Sequence, residues 1–221
     1  MQTAYIFDLD NTISINSEFY RTVNSQSLTD LIAEARGEEG LQMLEYYRRN
    51  CNGKGELALF ALNLPFSAWA ERLIRSDISM LEPSFEILES VRSLRGRKIV
   101  YTGSPRGMAD AILMQIGFHV SDFDLVLGWE KPEVFPTKWT CSPTIFRSIL
   151  MQFGCNSQYS WSIGDNWDTD IVPARTIGIN TAFIDPDIGT KTREAYTSLP
   201  EFVRVYHKGG DRYGIPICGI G

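Results

Sequence analysis

Five short apolar runs punctuate the chain, at Tyr5–Phe7, Lys98–Tyr101, Leu125–Leu127, Tyr159–Ile163 and Thr181–Ile184, and each is followed by Asp, Thr or Gly. Runs this short, closed by turn-forming residues, predict strands buried on both faces. Between them lie segments with helical periodicity. Glu86–Leu94 sets Ile87, Leu88, Val91 and Leu94 on one stripe, and Ala109–Ile116 follows a Ser104-Pro105 helix start. Ile145–Phe153 and Asp170–Ile177 add two more. Strands alternating with helices predict an α/β fold, a doubly wound parallel sheet covered on both faces.

The interval between the first two runs breaks that alternation. Residues 17 to about 80 carry no strand pattern but four helical stretches: Glu18–Arg36, Gly40–Arg49, Glu56–Leu62 and Ser67–Ile74. An all-helical segment inside an α/β frame predicts a cap. The expected division is a core of residues 1–16 and 80–221 with a helical cap of residues 17–79, hinged near Ile13–Ser17 and Ser79–Pro83. The glycine-rich tail from Lys208 to Gly221 carries an apolar Ile215-Pro216-Ile217, which is expected to dock.

A chain of 221 residues suits one full domain plus a smaller insertion, and 43% hydrophobic with 22% charged residues excludes a disordered or fibrous protein. The net charge of −6 leaves no basic footprint for a nucleic-acid polymer. An anionic substrate therefore needs a locally positive pocket or a bound cation. Four separated cysteines (Cys51, Cys141, Cys155, Cys218) and two histidines (His119, His207) argue against a thiolate zinc site and suit a reducing compartment. Met1-Gln2-Thr3 leads straight into the first strand, and no stretch approaches the roughly 18 apolar residues of a membrane span. A cytoplasmic protein without a membrane partner is expected.

Chemistry gathers at the strand ends. Asp8 and Asp10 follow the first strand, and in extended backbone residues two apart point the same way, so both acids meet one reaction centre. The alternative is a turn in which Asp10 and Asn11 satisfy local backbone groups. Gly164-Asp165-Asn166-Trp167-Asp168-Thr169-Asp170 also follows a strand and opens a helix, bringing three more carboxylates beside the first two. Such a gathering is unfavourable without a cation, and oxygen-only ligands favour Mg²⁺. Asp168 is accounted for by the helix dipole alone. Thr102-Gly103-Ser104-Pro105 ends the second strand with a hydroxyl, a glycine and a helix N-terminus, a setting for a phosphoryl oxygen or simply a helix cap. Lys138 and Lys131 both stand where a lysine would complete the set, and Arg106 is positioned to assist.

In this order the motifs Asp8-x-Asp10-x-Thr12, Thr102-Gly103, Lys138 or Lys131, and Gly164-Asp165-x-x-x-x-Asp170 resemble those of haloacid dehalogenase (HAD) superfamily phosphatases with a helical cap after the first strand. The resemblance implies a Rossmann-like core and an Mg²⁺-dependent phosphomonoester hydrolase acting through an aspartyl-phosphate. By it, Asp8 is the nucleophile, Asp10 the acid and then base, and Thr102 and Lys138 (or Lys131) hold the transferring group, with Gly103 and Ser104 binding substrate. Mg²⁺ would rest on Asp8, the Asp10 backbone carbonyl and Asp165, with Asp170 behind them. An acid at position 10 argues for an alkoxide leaving group, since halide needs no proton. The implied partner is a small phosphorylated metabolite, with neither nucleic-acid polymer nor membrane.

Glu45-Tyr46-Tyr47-Arg48-Arg49, ahead of Asn52-Gly53-Lys54-Gly55, more loosely resembles the pyrimidine 5′-nucleotidase branch, which implies a nucleoside 5′-monophosphate. Tyr46 to Asn50 are candidates to face the site, with Tyr47 and Arg49 as the substrate-binding pair. Alternatively the tyrosines fill the cap interior and the arginines are solvated. Trp69, Trp139, Trp161 and Trp167 are expected in the core, although Trp129 and Trp167 follow strand ends and are also candidates for the mouth. A reading from another class keeps the fold as a scaffold or regulatory protein that binds a phosphorylated ligand or a partner with little turnover.

Overall fold

The computed structural model describes residues 2–51, 53–129, 131, 137–186 and 195–208. Within these, six parallel strands form one sheet in the order β3-β2-β1-β4-β5-β6. They are β1 (Ala4–Phe7), β2 (Arg97–Pro105), β3 (Leu125–Trp129), β4 (Trp161–Gly164), β5 (Asn180–Ile184) and β6 (Ala195–Tyr196). The five apolar runs are β1 to β5. The edge strand β6 pairs Ala195 with Phe183 and Tyr196 with Ile184, and two residues are too few to leave a pattern.

Side-chain alternation on β1 divides the core in two. Ala4 and Ile6 join Ile99, Tyr101, Phe146 and Leu150 on one face. Tyr5 and Phe7 join Val100, Ile112, Ile163 and Phe202 on the other. Helices cover both: α4 (Phe85–Ser93), α5 (Arg106–Gln115), α6 (Thr144–Phe153), α7 (Val172–Arg175) and α8 (Leu199–Lys208). Helix starts follow local chemistry. The Asn16 side chain accepts the Phe19 N–H at 2.9 Å and Ser84 Oγ accepts the Ile87 N–H at 3.4 Å. The expected Ser104-Pro105 helix start is one residue early, because β2 runs through Pro105 and α5 opens at Arg106. α8 is not among the helices expected from periodicity; its Leu199, Phe202 and Val203 are buried at helical spacing.

Between β1 and β2 the chain also forms α1 (Ser17–Asn50), α2 (Leu57–Ala61) and α3 (Phe66–Ile74). The two helices expected over 18–49 are assigned as one, broken at Gly37, whose φ of 57° and ψ of −145° no β-carbon-bearing residue adopts readily. Phe19, Leu28, Ile32, Leu44, Leu59 and Phe66 of these helices share one apolar cluster with Phe7 and Val100. The tail beyond Lys208, with Ile215-Pro216-Ile217 and Cys218, lies outside the described residues, as do Asn52 and Pro132. Cys51, Cys141 and Cys155 are free thiols. Among the described residues no helix is long and apolar enough to cross a membrane.

Asp122 ties α4 to the loop before β3. It accepts Arg92 Nε at 3.2 Å, Arg92 Nη2 at 2.9 Å and the His119 N–H at 2.8 Å. The Arg92 guanidinium holds its carboxyl below the usual range. Stability from a depressed carboxylate is present above its unfolded pKa and lost as pH falls through the folded one. Asp122→Asn is therefore expected to cost about 0.5–1 kcal/mol at neutral pH, with solvent screening included. In urea titrations the difference from wild type should close as the pH is lowered below the carboxylate range.

Candidate active site

The strand order reverses between β1 and β4, and ligands of open α/β sheets settle at the carboxyl ends beside such a point. Phe7 stands opposite Ile163, so Asp8 and Asp165 leave the sheet side by side. The Asp8 N–H donates to the Ile163 carbonyl at 2.8 Å, extending the ladder one residue and fixing Asp8 at the tip. The chain then folds back through Asn11, at φ 59°, whose N–H donates to the Ser14 carbonyl at 2.8 Å.

Carboxylate oxygens of Asp8, Asp165 and Asp170 lie within 4.8 Å of one another. Lys138, on the helical turn Thr137–Thr140, inserts its ammonium among them, paired with Asp8 and 2.9 Å from Asp170 Oδ1. Most of this group's surface is removed from solvent: Lys138 is 5% exposed and Asp8 7%, with Asp165 half-buried. Asp170 sits in the wide helical turn Trp167–Ile171 and is held twice more, by the Asn166 N–H on Oδ2 at 3.0 Å and by Ser162 Oγ on its carbonyl at 2.8 Å. Gly164 is obligatory here, because a β-carbon would collide with the Asp170 carboxylate.

Asp10 turns aside from the other acids. Its Oδ2 accepts Ser104 Oγ at 2.9 Å, while Oδ1 is buried without a hydrogen bond. Ser104 is itself oriented by its N–H, which donates to Thr102 Oγ1 at 3.0 Å. A β-carbon at Gly103 would lie 2.6 Å from Trp139 Nε1, so glycine lets the Lys138–Trp139 turn rest on β2.

The electrostatics show a surplus of negative charge. Burial pushes Asp8 well above its usual range; Lys138 opposes this, while Asp170, Asp165 and Asp10 add to it. Burial and Asp170 likewise raise Asp165. Burial raises Asp10 to about 6 against the Ser104 hydrogen bond. For Lys138 burial alone would favour the neutral amine, yet Asp170 and Asp8 outweigh it and keep the ammonium charged. One lysine thus faces four carboxylates. Hard oxygen donors with too little positive charge among them suit a divalent cation of the Mg²⁺ type, so the residues present fit that group.

Above this cluster opens a cavity of about 560 Å³. Asp8, Asp10, Gly103, Ser104, Lys138 and Asp165 form its floor. The opposite side comes from α1 (Arg21, Asn24, Ser25, Leu28), from Arg48 and from Gly53, Gly55 and Glu56. Trp69 and Trp139 form a wall, their ring centroids 5.8 Å apart. Burial raises Glu56 above the usual carboxylate range.

A family model described as HAD-hydrolase-like matches residues 141–205, which run from the helix before β4 through the acidic turn and into α8. The match spans less than a third of the chain and makes that segment similar to HAD hydrolases. No curated protein sequence matches. Among solved structures, a HAD phosphatase from Thermococcus onnurineus superposes with a TM-score of 0.63 at 18% identity, covering 92% of this chain and 97% of that one. A predicted phosphoglycolate phosphatase from Haemophilus somnus gives 0.58 at 16% identity, covering 92% and 97%. A 2-haloacid dehalogenase from Pseudomonas syringae gives 0.59 at 14% identity, covering 94% and 99%. At these identities the likeness is one of fold.

Within this HAD fold, Asp8, Asp10, Gly103, Ser104, Lys138 and Asp165 meet at one cavity, and Asp170 lies directly beneath. Lys131 is exposed and away from it. Arg106 is turned to Asp110 at 2.9 Å and to the Val126 carbonyl. Thr102 is buried under Ser104 and does not reach the cavity wall. Two expectations for the helical segment are corrected. Tyr47 packs against the apolar cluster, and Arg49 pairs with Glu45 on the outer face; Arg48 is the one of that run on the cavity. Trp69 and Trp139, expected in the core, line the cavity, whereas Trp129 and Trp167 do not. The sequence reading missed Arg21, Asn24, Ser25 and Glu56. Polar residues at positions 21, 24 and 25 do share a helix face, but nothing local says that face looks toward the acids.

Proposed function

We propose that this HAD hydrolase is a divalent-metal-dependent phosphomonoesterase that works through an aspartyl-phosphate. The observation that carries the reading is Asp10, an acid held by Ser104 beside Asp8 yet apart from the Asp8–Asp165–Asp170 cluster. Cleaving a carbon–halogen bond requires no proton donor, whereas expelling an alkoxide does. Residues 17–79 act as the cap, a reading supported by the cavity walls contributed by Arg21, Arg48, Glu56 and Trp69.

Asp8 attacks phosphorus as the bond to the leaving alcohol breaks, and the proton on Asp10 passes to the leaving oxygen. Asp10, now ionised, takes a proton from water, and the hydroxide formed attacks phosphorus, releasing phosphate and restoring Asp8. Lys138 holds a phosphoryl oxygen, with Gly103 and Ser104 lining its approach; Thr102 accepts the Ser104 N–H and so supports that turn. Mg²⁺, held by Asp8, Asp165 and Asp170, would offset phosphate charge and admit the dianion beside the carboxylates. The test is Mg²⁺-dependent phosphate release across a panel of esters, against halide release from 2-halo acids. Absence of metal-dependent ester hydrolysis by folded protein sinks the reading.

A nucleoside 5′-monophosphate is the first candidate substrate. The Trp69 and Trp139 rings offer flat walls for a base, and Arg21, Asn24, Ser25 and Arg48 offer polar groups for its edges and sugar. Arg48 is already fixed, its Nη2 donating to Ser25 Oγ at 3.0 Å and Thr29 Oγ1 at 3.1 Å. Arg21 is exposed at the cavity. Losing one hydrogen bond to a charged group is worth roughly 1.5–3 kcal/mol, so Arg21→Met should raise KM for the nucleotide about tenfold or more. Its kcat should change much less than KM, since Arg21 belongs to the helical segment and not to the acid cluster. Steady-state kinetics separate the two parameters.

A further inference from the structure

We propose that Trp139 is a positioning residue for Lys138: its indole, set between Gly103 of β2 and Trp69 of α3, makes the helical segment fix where the ammonium stands. The two residues are consecutive on the turn Thr137–Thr140. Lys138 reaches Asp8 and Asp170, while the Trp139 ring lies 5.8 Å from Trp69 and 6.2 Å from Trp129 at the end of β3. Trp69 and Trp129 are themselves 5.7 Å apart, so three indoles close a triangle drawn from the helical segment, the sheet and the lysine's own turn. Beneath the triangle, Trp139 Nε1 comes so near Gly103 that a β-carbon there would lie 2.6 Å away.

The other two rings are anchored. Trp69 Nε1 donates to Ser27 Oγ of α1 at 2.9 Å, and Trp129 Nε1 donates to the Lys131 carbonyl at 2.9 Å. The turn that carries Lys138 is closed on itself by the Cys141 N–H, which donates to the Lys138 carbonyl at 3.2 Å. A single turn of this kind has little stiffness of its own, so the packing of Trp139 sets where the lysine's backbone stands. The four-carbon stem is flexible. A shift at its base leaves both carboxylates within reach but moves the donor that should meet a phosphoryl oxygen. An organic group resting on the Trp69–Trp139 wall therefore bears on the same contact that aims the lysine. The inference rests on the phosphatase reading, with Lys138 as a phosphoryl ligand.

Inorganic phosphate is the probe, because it has no organic part to touch the indole wall. Its affinity, read by equilibrium dialysis with Mg²⁺, should fall about tenfold or more in Lys138→Met. Trp139→Phe, whose ring is too short to span Gly103 and Trp69, should weaken phosphate about fivefold. Trp69→Met, which fills space without a ring, should do the same from the helical segment. In the Lys138→Met background, Trp139→Phe should change phosphate affinity by less than about twofold, since its effect passes through the lysine. A purely structural tryptophan lowers the melting temperature without this dependence on Lys138. Phosphate affinity unchanged in Trp139→Phe, or an equal loss with and without Lys138, overturns the proposal. Should Trp69→Met not fold, the Trp139→Phe cycle decides alone. Wild-type ester hydrolysis removed by Asp8→Asn keeps the phosphatase reading whichever way Trp139 falls; wild-type protein that neither binds phosphate nor hydrolyses esters defeats both.

Discussion

Asp8→Asn should lower kcat by on the order of 10⁴-fold or more while the protein stays folded. Asparagine keeps the shape of the side chain but offers no anionic oxygen to phosphorus, so the first chemical step has no substitute. The stability side of the argument has the opposite sign from the usual loss of a buried ion pair. Asp8 is pushed upward by burial and by Asp170, Asp165 and Asp10, with Lys138 alone opposing. Removing its charge relieves repulsion, and Lys138 retains Asp170 at 2.9 Å. The melting temperature should therefore stay close to that of wild type. Acid-quenched reactions should trap phosphate on the wild-type chain and none on the variant. Metal-dependent turnover above about 1% of wild type in Asp8→Asn would remove Asp8 from the nucleophile's role.

What could be read beforehand divides along a physical line. Asp8, Asp165 and the Thr102–Ser104 segment were legible because strand ends are local features: an apolar run stops, and the next side chain must stand at the sheet's edge. Parallel order then brings such edges together without further information. Lys138 was less legible. It sits on a short helical turn among loop residues, and only the fit of Gly103 beneath Trp139 brings that turn against β2, a contact between residues 36 positions apart. The phase of the helical segment was not legible at all. Arg48 and Arg49 are adjacent and chemically alike, yet one meets Ser25 and the cavity while the other meets Glu45 outside. Which face turns inward depends on how α1 packs, and α1 shares one core with β1 through Phe19, Leu28 and Ile32. The same reasoning covers Trp69 and Trp139. Trp69 is buried and Trp139 partly so, as expected of aromatic residues, but the surface they stand beside is a cavity formed between elements distant in sequence.

Lys138→Met should produce the largest loss of stability of any single change at the site. Its ammonium is the cation that meets Asp8 and Asp170 directly, inside a cluster that also holds Asp165. Removing one partner from a buried ionic group typically costs about 3–5 kcal/mol, because the remaining charges are left desolvated and unpaired. For a chain of this size that is roughly a 10 °C fall in melting temperature. The pH dependence follows with a definite sign. Without the lysine, Asp8 loses the interaction that lowers its pKa and keeps those that raise it, while Asp165 loses one of its lowering interactions and keeps its hydrogen bonds with Asp8 and Asn11. A raised carboxylate binds protons in the folded state that the unfolded chain releases, so stability rises as pH falls. The deficit of Lys138→Met relative to wild type should accordingly shrink between pH 8 and pH 5. Millimolar Mg²⁺ should restore part of the melting temperature at pH 8, since a divalent ion bound only by the folded state replaces the missing positive charge. Activity should not return with it, because the methionine has no group to hold a phosphoryl oxygen. A deficit under about 1 kcal/mol at pH 8 in EDTA would mean that the carboxylates are not charged together, and the case for a cation among them would fail.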